Sequence, residues 1–216
     1  LALHSHNAWV NTVIVGIGGI GSALARIAPH PLIVAGRKPA TLRALAAETS
    51  AYSVPVDVTR DLEVAALASE VAARGGTRVL VYAVGDIAVG ALELLSRADL
   101  ERIWGANVLG VQLVLKHLAP TLEPDARVYV IGARAELTAF KGFAAYAAAK
   151  AAVDALARVT TLELGRPITV VKPGAVNTAF WARFGGRAPR NALEPAVVAQ
   201  AIVDSLARDP VAELPI

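Results

Sequence analysis

Short β-branched and apolar runs alternate along the chain with longer segments rich in Ala and Leu. The run WVNTVIVG (9–16) ends in glycine, and IGSALARIA (20–28) after it has helical composition and stops before Pro29 and Pro31. LIVAG (32–36) is a second run. PATLRALAAETS (39–50) predicts a helix with Pro39 in its first turn, where a missing N–H would have no partner anyway. YSVPVDV (52–58) predicts a third strand, and Pro55, which cannot donate to a ladder, either weakens that reading or places the strand near a sheet edge. A helix at about 61–74, a strand TRVLVYAV (77–84) and a long helical region from about 96 to 121 follow. The pattern then repeats with ARVYVIG (126–132), a helix over 143–164, ITVVKPG (168–174), a helix over 194–207 and a weak terminal run VAELPI (211–216). Strands of this length separated by helices indicate parallel crossover units with both sheet faces covered. The expected fold is a single doubly wound α/β domain over residues 1–216, with residues 1–8 as an N-terminal tail.

Composition narrows the function classes. A chain of 216 residues supports one sizeable core. Apolar residues at 55% against 18% charged argue against disorder. No run approaches the ~18 apolar residues of a membrane span, and no basic-then-apolar leader is visible, so the expectation is a cytoplasmic protein that binds no membrane. Methionine is absent even at position 1, which leaves open whether residues precede Leu1. Without cysteine there is no disulfide or thiolate metal site, and His4, His6, His30 and His117 lack metal-ligand spacing, so no metal is expected. Lys and Arg are scattered at a net charge of +3, which makes nucleic acid a poor partner.

The first strand runs into Gly16-Ile17-Gly18-Gly19-Ile20-Gly21, in which Gly16, Gly18 and Gly21 have G-x-G-x-x-G spacing. Between a strand and a helix, such a turn lets backbone approach a pyrophosphate closely and offers it free N–H groups. At the end of the second strand, where a carboxylate would select NAD, stand Gly36, Arg37 and Lys38. The planar donor fork of Arg37 suits a 2′-phosphate, so NADP(H) is expected over NAD(H). A solvated basic turn is the plainer reading of the same residues.

Tyr146 and Lys150 are four apart in AAYAAAKAAVDALA and share one helix face. Together with Asn107 in ANVLG, Pro173-Gly174 and Thr178, and Asp57-Val58 after the third strand, they resemble the short-chain dehydrogenase/reductase family over nearly the whole chain. The resemblance implies a Rossmann-type sheet of order 3-2-1-4-5-6, usually with a seventh strand, and hydride transfer between a nicotinamide and an alcohol/carbonyl pair. It makes Tyr146 the general acid, Lys150 the cation that eases its ionisation and holds the nicotinamide ribose, and Asn107 the holder of a relay water. Asp57 would accept from the adenine amino group beside the Val58 backbone, or serve only as a turn residue. Thr178 would bond the carboxamide or a phosphate, or cap the next segment. The cofactor set is completed by Gly19, Ile20, Gly85, Pro173 and Gly174. In the family the helix over 143–164 and the one before it, about 106–121, form the main dimer interface, so the resemblance implies a homodimer or homotetramer, although an Ala-rich helix also has high intrinsic propensity.

Three departures from the family pattern stand out. The glycine loop is one residue short, with Val15 where the family's first Gly belongs. The family's N-N-A-G after strand four reads Tyr82-Ala83-Val84-Gly85. Ala133 holds the position, thirteen residues before the Tyr, of the Ser that bonds the substrate oxygen, and the nearest hydroxyl is Thr138. The segment 177–190, in the place of the family's substrate loop, carries Phe180, Trp181 and Phe184, which could line an apolar pocket, and Arg183, Arg187 and Arg190, which could meet an anion. An ordinary loop pinned by its aromatics is equally consistent. Two functions therefore stay open: an NADP(H)-dependent oxidoreductase weakened at Ala133, or a dinucleotide-binding module that has lost catalysis.

Overall fold

The computed structural model describes residues 11–216, without the side chains of Leu137 and Phe184. Trp9 and Val10 of the first predicted strand, and the predicted tail with His4 and His6, lie outside the described residues. Seven strands follow in chain order: β1 (Asn11–Val15), β2 (Leu32–Gly36), β3 (Tyr52–Pro55), β4 (Thr77–Tyr82), β5 (Leu122–Ile131), β6 (Ile168–Lys172) and β7 (Glu213–Pro215). They form one parallel sheet of order β3-β2-β1-β4-β5-β6-β7. Strand β5 begins at Leu122, four residues before the predicted run. β3, with Pro55, is an edge strand, and β7 is the opposite edge.

Seven α-helices connect the strands: α1 (Gly19–Ala25), α2 (Pro39–Thr49), α3 (Asp61–Ala72), α4 (Arg97–Trp104), α5 (Gly110–Leu118), α6 (Ala144–Leu164) and α7 (Pro195–Ser205). The central strands β1 and β2 are buried on both faces, so they read as continuous apolar runs. Successive strand residues point to opposite faces. Val13 and Val15 pack with α3, α5 and α6 through Leu67, Val114 and Val153, while Ile14 packs with α1, α2 and α7 through Leu24, Leu42 and Ile202. No helix among the described residues is long and apolar enough to cross a membrane.

Two features of this frame build the site. The strand order reverses between β1 and β4, which opens a crevice at their carboxyl ends, just where Gly16 leaves β1 and Ala83 leaves β4. The long helical region expected over 96–121 is not uniform, because a π-helical turn, Gly105–Leu109, separates α4 from α5. α4 starts at a capping box between Ser96 and Asp99. The π turn is held from the sheet by buried Tyr82, whose hydroxyl donates to Ala106 O at 2.5 Å. Gly110 leaves the space for that hydroxyl, since a Cβ there would lie 2.2 Å from it. Tyr82 thus supplies a brace at the strand position where the family carries asparagine.

Candidate active site

The glycine turn is tight for steric reasons. Gly16 has φ +99°, and a Cβ on it would lie 2.6 Å from Val84 N. A Cβ on Gly21 would lie 1.8 Å from Gly16 O, so the start of α1 rests directly on the end of β1. Gly18 has open space around it, and Gly18, Gly19 and Ile20 line a cavity of about 470 Å³. Thr178 packs its methyl group against Gly19 from above. The Thr178 hydroxyl accepts from Phe180 N at 3.3 Å, which gives it a turn-capping bond in addition to its place in the cavity wall.

The same cavity receives Tyr146 and Lys150 from the first turns of α6. Their spacing sets Lys150 Nζ 5.7 Å from the centroid of the Tyr146 ring. Lys150 is buried and donates to Ile131 O at 2.9 Å, at the end of β5. Burial lowers its pKa to about 8, with the charge of Asp154, one turn further along α6, acting in the opposite sense. Burial also pushes the Tyr146 phenol well above its ordinary range, so it is a neutral proton donor. Its hydroxyl has no hydrogen-bond partner among the described residues, and its ring is wedged between Phe143 (6.3 Å between centroids) and Phe180 (5.7 Å).

Asn107 is presented by the π turn and is fully buried. Its Nδ2 donates to Asp86 O (2.7 Å) and Ile103 O (2.9 Å), while Oδ1 is buried with no partner among the described residues. A Cβ on Gly85 would stand 3.4 Å from that Oδ1 and 3.9 Å from Lys150 Nζ. The position that a side chain on Gly85 would fill therefore lies between an unused acceptor and an ammonium with protons to spare.

At the position of the absent serine, Ala133 lines the cavity and offers no donor. Thr138 is buried in the same wall, but its hydroxyl donates to Ala135 O at 2.9 Å. The three arginines of the 177–190 loop separate. Arg183 lines the cavity, whereas Arg187 and Arg190 line a second hollow that adjoins it at Thr178, Trp181 and Pro189. Phe180 and Trp181 also line the main cavity, and Trp181 Nε1 donates to Val176 O at 2.8 Å.

Sequence reading missed Asp86. Its buried carboxylate accepts from Ile87 N (2.7 Å), pairs with Arg102 Nη1 (2.5 Å) and bonds Arg183 Nη1. Burial works against its charge, but these donors together hold the carboxyl below the usual range. An acid directly after the retained Gly85 was the available signal; its partners are visible only in three dimensions.

Beyond the cavity, Arg37 is exposed at the end of β2 with no ion pair among the described residues. Asp57 Oδ1 accepts from Thr59 N (3.0 Å) and Oγ1 (2.8 Å), so one carboxylate oxygen is committed to a turn and the other is left over. Burial opposes the Asp57 charge, but the Thr59 bonds and the nearby Arg37 hold its pKa below the ordinary value. Val58 is buried, which leaves its backbone rather than its side chain to meet a ligand. Pro173 and Gly174, after β6, line the same cavity as the glycine turn. No group of three His, Asp or Glu side chains among the described residues is placed to hold a metal ion.

The chain is similar to known proteins in sequence and in fold. Residues 18–213 match the short-chain alcohol dehydrogenase type family model described as enoyl-(acyl carrier protein) reductase. An uncharacterized oxidoreductase of Mycobacterium tuberculosis is 36% identical over 176 residues, covering 68% of each chain. The crystal structure of a short-chain oxidoreductase from Thermus thermophilus superposes with a TM-score of 0.82 at 35% identity, covering 93% of this chain and 97% of that one. An alcohol dehydrogenase from Thermococcus sibiricus, solved in complex with 5-hydroxy-NADP, gives a TM-score of 0.80 at 26% identity, covering 95% and 96%.

Proposed function

Since the chain belongs to the short-chain dehydrogenase/reductase family, whose members bind a nicotinamide dinucleotide, we propose that it is an NADP(H)-dependent oxidoreductase for an alcohol/carbonyl pair. The observation that carries this reading is the convergence of Tyr146, Lys150 and the glycine turn on one cavity. When bound, the nicotinamide supplies or accepts the hydride. In the direction of reduction, Tyr146 gives its proton to the substrate oxygen, and the Lys150 ammonium stabilises the tyrosinate left behind. The unused Asn107 Oδ1 and the space at Gly85 suit a water that passes a proton to Lys150. Gly16, Gly18, Gly19, Ile20 and Gly21 would cradle the pyrophosphate, Gly85, Pro173, Gly174 and Thr178 would flank the nicotinamide half, and Asp57 and the Val58 backbone would meet the adenine.

The preference for NADP(H) rests on Arg37, free of any ion pair among the described residues at the end of β2, and is in keeping with the NADP derivative bound to the Thermococcus relative. A charge-assisted contact to a phosphate contributes ~1.5–3 kcal/mol, so Arg37→Ala is expected to weaken NADPH binding by roughly 10- to 100-fold and to leave NADH binding nearly unchanged. Fluorescence titration with the two cofactors checks this, and equal affinity for both in the parent protein removes the assignment.

Lys150 sets a pH limit. A lysine whose pKa is lowered loses its proton as pH rises through the lowered value, about 8 here, rather than near 10.5. For NADPH, kcat/KM reports the free enzyme and is expected to fall as pH rises through about 8. Asp154→Asn removes the charge that holds the ammonium on, so the alkaline limb should move to lower pH. A limb that stays in place in the variant contradicts this role for Asp154.

A homodimer or homotetramer is also proposed, from the large apolar side chains exposed at Leu109 in the π turn and at Val159 and Leu162 on α6. Sedimentation equilibrium should give a multiple of the chain mass. A second reading, a dinucleotide-binding module without catalysis, is favoured by one observation: Ala133 and the committed Thr138 hydroxyl leave the substrate oxygen without a donor other than Tyr146. Failure of any carbonyl compound to oxidise NADPH in the presence of bound cofactor would favour this module.

A further inference from the structure

We propose that the cavity selects carbonyl substrates in which a flat apolar body carries a carboxylate, and that Arg183 takes that carboxylate; this rests on the oxidoreductase reading above. The apolar part follows from a chain of ring contacts running past the phenol. Phe140 meets Phe143 at 6.0 Å between centroids, Phe143 meets Tyr146 at 6.3 Å, Tyr146 meets Phe180 at 5.7 Å, and Phe180 meets Trp181 at 6.1 Å. A substrate oxygen at the Tyr146 hydroxyl therefore sits beside several aromatic faces and edges, which favour a planar ring of their own size.

The charged part follows from what else lines the wall. Lys150 and Arg183 are its charged residues among the described residues, and both are cationic. Lys150 is buried against Ile131 O under the Tyr146 ring, so the cation offered to a ligand away from the reacting centre is Arg183. Its guanidinium is not a loose surface charge. Buried Asp86 holds it, and its bonds to Asp86 and to Gly85 O (3.3 Å) are both made by Nη1. The Nε and Nη2 donors have no partner among the described residues, and a planar pair of such donors matches a carboxylate.

Asp86 and Asp99 balance Arg102 and Arg183 in one cluster, since Arg102 bonds Asp86 at 2.5 Å and Asp99 at 2.9 Å, so what Arg183 offers a ligand is its open donor edge more than an excess charge. Partial neutralisation suits a monoanion better than a doubly charged phosphate. It also bears on Ala133. Binding energy from a remote anionic group can hold the carbonyl against Tyr146 where the local donor is missing.

The test uses the full chain with NADPH and matched aryl ketones: para-acetylbenzoate, its methyl ester and para-acetylphenyl phosphate. Rates of NADPH oxidation and calorimetric binding to the NADPH-loaded protein are both read. The acid is expected to exceed the ester by about tenfold or more in kcat/KM and in affinity, and to exceed the phosphate. In Arg183→Met the acid-to-ester ratio should collapse towards one, and Arg183→Lys, which keeps the charge but loses the fork, should retain part of it. Should the Met variant not fold, added salt must still erode the acid preference of the parent. Turnover of acid and ester at equal rates overturns the carboxylate assignment and leaves the oxidoreductase reading standing. Preferential binding of the acid without any turnover supports Arg183 and counts against catalysis. Binding of neither, or a preference for the phosphate, overturns the proposal.

Discussion

Tyr146→Phe is expected to lower kcat for NADPH-dependent carbonyl reduction by roughly 10²- to 10⁴-fold, the range that a positioned general acid supplies. The substitution is clean in this site. The ring keeps its edge contacts with Phe143 and Phe180, and the hydroxyl removed has no hydrogen-bond partner among the described residues to strand. Stability should therefore change by no more than about 0.5 kcal/mol, because no buried donor or acceptor loses its mate. NADPH affinity should also hold, since the phenol contributes a proton rather than a cofactor contact. Kinetics, thermal melting and cofactor titration on one preparation separate these effects. A variant that reduces carbonyls as fast as the parent removes Tyr146 from the mechanism.

Ala133→Ser is expected to raise kcat on unactivated ketones, by up to ~10²–10³-fold if the new hydroxyl reaches the substrate oxygen. The physical reason is that a donor aimed at developing negative charge is preorganised by the fold and works in a cavity whose wall is mostly apolar. Ala133 faces that cavity and is only partly buried, so one oxygen can be added there without overpacking. Neighbouring Gly132 cannot serve, because a Cβ on it would lie 2.5 Å from Val170 Cγ1. Thr138→Val provides the control. If the Thr138 hydroxyl stays on Ala135 O, its removal should change kcat little. If instead Thr138→Val costs as much as a catalytic donor, Thr138 already fills the role and Ala133→Ser should add nothing.

Much of the fold is legible in the chain because buried parallel strands need continuous apolar runs, and LIVAG and ITVV show them without ambiguity. Pro55 correctly marks an edge, since a proline inside the sheet would leave a ladder bond unmade. The strand order itself comes from family resemblance, because apolar runs do not encode which neighbour each will pair with. The residues between 96 and 121 read as a long helical region, and their composition does not reveal the π turn within them. Helical composition does not distinguish i→i+4 from i→i+5 bonding, and the cue lies in Gly105 and Gly110 bracketing the turn and in Tyr82 reaching it from another strand.

The site shows the same division. Tyr146 and Lys150 can be paired from their spacing alone, because a helix fixes i and i+4 on one face. Asp86 cannot, because its meaning lies in Arg102 and Arg183, which reach it from α4 and from the 177–190 loop. Proximity along the chain groups Arg183 with Arg187 and Arg190, whereas the folded loop divides them between two adjoining hollows. Thr178 keeps both of its readings, with a turn bond to Phe180 N and a place over Gly19 in the cavity wall.

A crystal structure of the NADPH complex bears most directly on the claim that one cavity brings a nicotinamide to a phenol backed by an ammonium. The account predicts the pyrophosphate over Gly18 and Gly19, the 2′-phosphate at Arg37, and the nicotinamide ring in the cavity between Gly85 and the Tyr146 hydroxyl. A cofactor bound elsewhere, or a nicotinamide lying away from Tyr146 with Lys150 still turned into the protein, would contradict it.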